Sequence, residues 1–345
     1  MRTVTELSRI VDPNVDRVEP ALSGLGAERL ADGDERVIIT GAGGWAGMAT
    51  LEMLHGLLGE AFHRRVRCFG LGERTLILRG GVEVVQRPLG LLAGLRPHPS
   101  ILLHLAFLAE AAFSEASGEA YARVNRTIAD QVRAALDPIG ARAAFLGSSG
   151  AIYLTEDPSA PESKRHYGAI KRLDEARFTR WATRTGSRLA IGRVFNIAGP
   201  YINRWPSYAL SSFIADAQAG RPIEIHSARR VFRSYVALEE LMSVVFGVVT
   251  DPEGGTVRFD TLGESVVELS DLAQAVQDAL GRQVGVRRPQ MDEASPERYV
   301  GDGGAYRSLL REYGVRRTRL DEQIRQTADF MAAWPDNSDS AGEHV

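Results

Sequence analysis

Short apolar runs, many of them β-branched, alternate along this chain with longer stretches whose apolar residues fall at helical spacing. Residues 37–39, Val-Ile-Ile, are of the kind a buried parallel strand needs. After a turn crowded with glycine, residues 48–58 place Leu51, Leu54, Leu57 and Leu58 at helical spacing. Strand-like runs recur at 65–69, 82–85, 101–106, from 143, at 189–195 and at 235–236. Helical patterns occupy 117–136, 166–180, 208–219, 270–280, 305–313 and 320–334. Strands alternating with helices predict an α/β fold built on a doubly wound parallel sheet, with a smaller C-terminal lobe.

The glycine turn gives the first strand and helix a chemical meaning. Its spacing is G-x-x-G-x-x-G at Gly41, Gly44 and Gly47, with Gly43 in addition. Gly41 allows a tight turn, Gly44 lets a pyrophosphate approach the backbone, and Gly47 lets the helix pack closely. The helix start at Trp45 and Ala46 offers free N–H groups and partial positive charge to phosphate. The plain alternative is a glycine-rich turn without a ligand. The context points instead to a Rossmann-type dinucleotide site. Residues 1–34 then form an N-terminal extension, broken by Pro13 and Pro20, with a short helix possible at 5–11. It is expected to pack outside the domain or at a dimer contact. Residues 35–195 form the dinucleotide-binding unit, to which 231–262 return. Residues 196–230 and 263–334 form a substrate-binding lobe, and the polar 335–345 a flexible tail.

Composition narrows the class. The chain has 345 residues, 44% of them hydrophobic and 25% charged, as in an ordinary globular protein. A net charge of −3 gives no reason to expect nucleic acid as a partner. The single cysteine, Cys68, excludes an internal disulfide framework and a zinc site of several cysteines, and no metal site is expected. No apolar run approaches the roughly 20 residues of a membrane span, and no N-terminal signal pattern is present. A cytoplasmic enzyme without a membrane partner is the expectation.

Selectivity for the cofactor should lie after the second strand. An acidic residue there holds the ribose 2′-hydroxyl in NAD-selective folds. Here Gly70 takes that place and Arg74 follows. A missing carboxylate removes repulsion toward a 2′-phosphate, and a guanidinium can pair with it, which tilts the reading from NAD toward NADP. Glu73 would restore NAD if the register differs, and Arg74 could equally be a solvated surface residue. Leu105 and Ala106, closing a buried strand, lie where the cofactor should pass. His104 in that strand is expected to be a hydrogen-bonded core residue. Asn125, inside a helix, needs partners and would brace the strand ends.

The chemistry should lie further on. Ser148 and Ser149 end a strand, where ligands bind in parallel sheets. Tyr167 and Lys171, at i and i+4, share a helix face. A phenol, with a pKa of about 10, is a poor base near neutrality. Lowering it by about 3 units takes roughly 4 kcal/mol of differential stabilisation, which a fixed ammonium favours. A serine hydroxyl then holds the substrate oxygen. Arg229, Arg230 and Arg233 cluster before the run at 235–236, a grouping suited to a diphosphate, with surface solvation as the alternative.

These residues resemble the extended short-chain dehydrogenase/reductase family, in its nucleotide-sugar epimerase/dehydratase branch. The likeness spans residues 36–332. It rests on Thr40-Gly41-x-x-Gly44-x-x-Gly47, His104-Leu105-Ala106, Ser148-Ser149 before Tyr153, Tyr167-x-x-x-Lys171, Arg193-x-Phe195-Asn196-x-x-Gly199-Pro200 and Arg233-Ser234-Tyr235-Val236. The resemblance implies Tyr167 as catalytic acid/base, Lys171 on the nicotinamide ribose, and Ser149 on the sugar oxygen that becomes a carbonyl. It implies Asn196 and Arg233 on the substrate diphosphate. The cofactor set is then Gly41, Gly43, Gly44, Trp45, Ala46, Gly47, Gly70, Arg74, Leu105, Ala106 and Asn125, with Tyr167 and Lys171.

Three departures refine this. Sugar 4,6-dehydratases carry an acid pair where this chain has Gly150-Ala151, so dehydration is disfavoured. The acidic residue after the second strand is missing. The usual Gly-Asp after the third strand, which contacts adenine, is replaced near Arg87-Pro88. The expected function is hydride transfer at a sugar carbon, C4, of a nucleotide-diphosphate sugar, as an epimerase or a 4-ketoreductase. A reductase of a non-sugar carbonyl and a non-catalytic NAD(P)-binding regulatory protein are the alternatives. The resemblance also suggests a homodimer through helices around 118–136 and 167–183.

Overall fold

The computed structural model describes residues 20–108, 118–292 and 294–334. The helix expected at 5–11 and the tail at 335–345 lie outside the described residues. The first part of the chain runs α1 (Gly24–Asp32), β1 (Arg36–Thr40), α2 (Trp45–Leu58), α3 (Phe62–Arg65), β2 (Val66–Gly70), β3 (Arg74–Ile77), β4 (Glu83–Pro88), β5 (Ser100–His104), α4 (Gly118–Leu136), β6 (Ala141–Ser149), α5 (Glu162–Thr185) and β7 (Arg188–Val194). Next come β8 (Asn196–Ala198), α6 (Ala209–Gln218), β9 (Ile223–Glu224), β10 (Val231–Arg233), β11 (Tyr235–Ala237), α7 (Leu238–Thr250) and β12 (Thr256–Asp260). The chain closes with β13 (Val267–Glu268), α8 (Leu269–Leu280), β14 (Val286–Arg287), β15 (Glu297–Tyr299), α9 (Gly304–Glu312) and α10 (Leu320–Ala333).

One 8-stranded sheet, in the order β12-β7-β6-β5-β1-β2-β4-β3, carries the fold. Every neighbouring pair is parallel except β3 with β4. The chain winds from β1 out to β4, then crosses back to β5 and winds the other way. Ligands bind at the carboxyl ends of the strands at such a reversal, here between β1 and β5. Alternation in β1 explains the two covered faces. Val37 and Ile39 join one core with Leu51, Leu54, Val244 and Val248, while Ile38 joins the other with Leu102, Val132 and Phe178.

Several elements depart from the sequence pattern. Residues 70–75, which follow the strand expected at 65–69, include the end of β2 and the start of β3, a strand absent from the pattern that returns against β4 through a turn at Gly80-Gly81. Helix α7 has no counterpart in the pattern because nearly all of it is buried, so it has no polar face to set a period. Helix α5 starts at Glu162 rather than 166, directly after Pro161. The return to the main sheet, expected from 231, begins later. β10 pairs with β13 and β15 in a separate sheet, and α7 and β12 rejoin the large sheet. Within the N-terminal extension, α1 packs on α7. A Cβ on Gly26 would collide with the Gly247 nitrogen, and the Ser23 N–H donates to Ser243 Oγ at 3.0 Å.

Candidate active site

The glycine turn forms a cradle at the sheet's reversal point. Gly41 has φ +75°, and its N–H donates to the Phe69 carbonyl at 2.8 Å. A Cβ there would meet the Ala106 nitrogen at 2.6 Å, and one on Gly47 would collide with the Gly41 oxygen. The backbone is therefore packed where a phosphate needs to approach closely. Gly44 is the N-cap of α2, and neither a side-chain cap nor an acidic residue occupies the first turn. These features fit a dinucleotide pyrophosphate. Leu105 continues the β5 edge, its N–H donating to the Thr40 carbonyl at 3.0 Å. Asn125 accepts the Leu108 N–H at 2.8 Å, so it braces the loop that follows β5. Trp45 does more than begin the helix. Its indole N–H donates to the Pro200 carbonyl at 2.9 Å and its ring tilts on Tyr208, which ties α2 to the segment that follows β8.

The region after β2 contains a residue that the motifs do not reveal. Gln86, only 2% exposed, accepts the Gly43 N–H at 3.2 Å and donates to the Gly72 carbonyl at 3.0 Å. Its amide stands about where a side chain at Gly70 would begin, so a Cβ there would collide with it. A signal for it exists in the alternation of β4, where Gln86 is a polar residue at an inward position. Gly70 does end β2, and Glu73 lies in the loop beyond it. Arg74 stands over the turn, so close that a Cβ on Gly43 would collide with its guanidinium.

Tyr167 and Lys171 lie on the part of α5 that packs against the end of β6, the strand that closes on Ser149. A Cβ on Gly168 would collide with the Ala151 oxygen, so α5 presses against the turn that follows Ser149. The Lys171 ammonium donates to the Gly147 carbonyl at 2.7 Å, two residues before Ser149. It also lies 5.8 Å from the centre of the Tyr167 ring. Burial pushes Lys171 down to about 8, against the pull of Asp174 and Glu175. His104 is a core residue. Its Nδ1 sits 2.8 Å from Thr40 Oγ1, its ring stacks on Phe178, and burial with the nearby Lys171 lowers it to about 3. Ser148 donates to Glu175 at 2.6 Å, and Glu175 is gripped by both arms of Arg193 at 3.0 and 2.9 Å.

The surroundings of Ser149 are more aromatic than the sequence suggests. The Tyr299 hydroxyl lies 3.1 Å from Ser149 Oγ. Phe195 packs on Tyr299 at 4.8 Å between centroids, and Tyr153 stacks on Phe195 at 6.4 Å. Asn196, expected on a diphosphate, donates to the Ser234 and Tyr299 carbonyls. Arg233 pairs with Glu297 at 2.5 Å and Arg229 with the same carboxylate at 3.2 Å. Arg230 instead lies against Phe232. Burial raises the Glu297 carboxyl, but Arg233 and its neighbouring cations outweigh this and lower it.

The winding of the sheet and the glycine turn at its reversal point are those of a Rossmann-type dinucleotide-binding fold. The sequence matches the NAD dependent epimerase/dehydratase family over residues 37–259. The chain belongs to that family. No curated protein matches it. Among solved structures it is similar to the UDP-N-acetylglucosamine 4-epimerase of Methanobrevibacter ruminantium, with TM-score 0.68, 17% identity, and 87% of this chain and 99% of that one covered. It is similar to the NAD-bound dTDP-glucose 4,6-dehydratase of Streptomyces venezuelae, with TM-score 0.65, 19% identity, and coverage of 86% and 97%. It also resembles a UDP-glucuronic acid 4-epimerase variant from Bacillus cereus that holds NAD, with TM-score 0.65, 13% identity, and coverage of 86% and 99%. At these identities the likeness establishes the fold.

Proposed function

We propose that this chain moves a hydride at C4 of a nucleotide-diphosphate sugar, as a 4-ketoreductase or an epimerase, with Tyr167 as acid/base. The observation that carries this is Lys171, pinned by the Gly147 carbonyl one helical turn from Tyr167 and beside the strand end that bears Ser149. When bound, the dinucleotide supplies the hydride donor or acceptor. Gly41, Gly43, Gly44, Gly47 and the start of α2 hold its phosphates. Ser149 orients the substrate oxygen by a hydrogen bond. Tyr167 gives a proton to that oxygen on reduction, or takes it on oxidation. Lys171 places a positive charge where it favours the phenolate.

NADP is favoured over NAD within this proposal. Arg74 lies over the glycine turn, and Gly70 leaves the end of β2 without a carboxylate. That choice favours the reductase, drawing on the reducing nicotinamide pool of the cytoplasm. The rest of the proposal is two functional units, a dinucleotide-binding unit and a substrate lobe, in a homodimer formed through α4 and α5. The outer faces of those helices expose Val124 and Leu173.

A reductase of a non-sugar carbonyl is the second reading. It is favoured by Arg233 and Arg229 both being held by Glu297, and by the aromatic side chains around Ser149. Two assays test the proposal. The dinucleotide released by denaturing the purified protein is identified by mass, and the stripped protein is offered 4-keto nucleotide sugars or apolar ketones with NADPH. Tyr167→Phe should abolish turnover and keep cofactor binding. A variant with unchanged turnover rejects the assigned role.

A further inference from the structure

We propose that Phe107 is a positioning residue for the Tyr167–Lys171 pair, its ring face holding the Lys171 ammonium in place beside Tyr167. This rests on the reading of those two residues as an acid/base pair. Phe107 lies in the loop after β5, between two backbone anchors. Leu105 is bonded to Thr40, and Leu108 to the Asn125 side chain. The Lys171 ammonium sits 3.8 Å from the centre of the Phe107 ring. Phe107 also meets Tyr167 in a T-shaped contact at 5.2 Å, and Tyr121 of α4 in another at 6.3 Å. One ring therefore touches both members of the pair and the helix packed beside them.

Lys171 needs such a partner. It is 6% exposed, so bulk water solvates little of its charge. Its hydrogen bond goes to a neutral carbonyl. Of the acids that face it, Glu175 is committed to Arg193 of β7 and to Ser148 of β6. Asp174 is pushed up to about 6 by burial, and it faces Arg177 of α5 and Asp130 of α4 as well as Lys171. His104 of β5, also near Lys171, is held neutral. The Phe107 face lies 3.8 Å from this ammonium, and a desolvated ammonium gains most from such a face.

The composition agrees. The chain has 41 basic residues, of which Lys164 and Lys171 are the two lysines. Everywhere else it uses arginine, whose charge does not titrate in the working range.

The two lysines also make the test clean. The full chain carrying lysine labelled with ¹³C at the ε carbon gives two signals, and Lys164→Arg assigns them. Their titration is followed in wild type, Phe107→Leu, Phe107→Met and Phe107→Trp. The Leu and Met variants should move the Lys171 midpoint down by about one pH unit, roughly tenfold in proton affinity, while Trp holds it. An unchanged or raised midpoint in either folded variant overturns the proposal, leaving the ring as packing only. If the Leu variant does not fold, Met keeps comparable volume without an aromatic face and decides alone. The titration uses neither substrate nor cofactor. It therefore stands apart from the Tyr167→Phe assay, which tests the reaction.

Discussion

The hydroxyl of Tyr299 lies 3.1 Å from Oγ of Ser149, joining β15, which pairs in a separate small sheet, to the end of β6 in the main sheet. The two residues are 150 positions apart. Ser149 Oγ also accepts the Ala151 N–H at 3.2 Å, so its rotamer is held from two sides.

That relationship makes the first prediction. Tyr299→Phe keeps the ring on Phe195 and removes the hydroxyl's contact with Ser149, a hydrogen bond worth about 1 kcal/mol. Turnover should fall by about tenfold or less, with the melting temperature nearly unchanged. Ser149→Ala removes the group proposed to hold the reacting oxygen and should cost about 100-fold or more. Steady-state rates of both variants with one substrate check the ranking. Equal losses would mean that Tyr299 itself contacts the substrate.

A second prediction concerns the missing acid pair. Phe195 fills the space beside Gly150, and a Cβ there would collide with the ring. Gly150→Asp should therefore destabilise the fold by about 1–3 kcal/mol through overpacking rather than install an elimination acid. Adding Phe195→Ala should recover part of that loss. Thermal unfolding of the two single variants and the double variant measures the coupling, and additive effects would contradict the steric account.

Arg74 provides a third. Arg74→Ala should weaken NADPH binding about tenfold or more and leave NADH binding almost unchanged, because a 2′-phosphate distinguishes the two. Fluorescence titration of the stripped protein reads both constants. An equal loss for both would place the guanidinium on the pyrophosphate, beside Gly43.

The fourth follows from Lys171, whose folded value of about 8 lies below that of an exposed lysine. Between about pH 8 and 10 the unfolded chain binds the proton more strongly. Stability from this group therefore rises with pH through that window, and its full penalty is present below pH 8. Lys171→Met should be more stable than wild type near neutrality, and the gap should close as the pH approaches 10. Unfolding midpoints of the pair at several pH values test the sign.

Signals carried within one element or across one turn are legible in the order of residues. Tyr167 and Lys171 share a helix face because of their spacing, and the glycines at 41, 44 and 47 announce a strand–turn–helix cradle. The buried α7 is not legible, because a helix covered on every side loses the polar positions that set its period. The return to the main sheet starts later than the pattern implies because residues 231–233 carry strand character but pair elsewhere.

What the sequence determined by itself is the doubly wound sheet, together with the spacing of the glycine turn and of Tyr167 and Lys171 on one helix, all of which follow from local periodicity and backbone freedom. Only the tertiary structure decided what surrounds them. Gln86 reaches Gly43, Phe107 covers Lys171, Tyr299 meets Ser149, and Glu297 takes Arg229 and Arg233 of the cluster expected to hold a diphosphate. These contacts join segments far apart in the chain. Their existence depends on how helices and strands pack, and that packing leaves no repeating pattern in the order of residues.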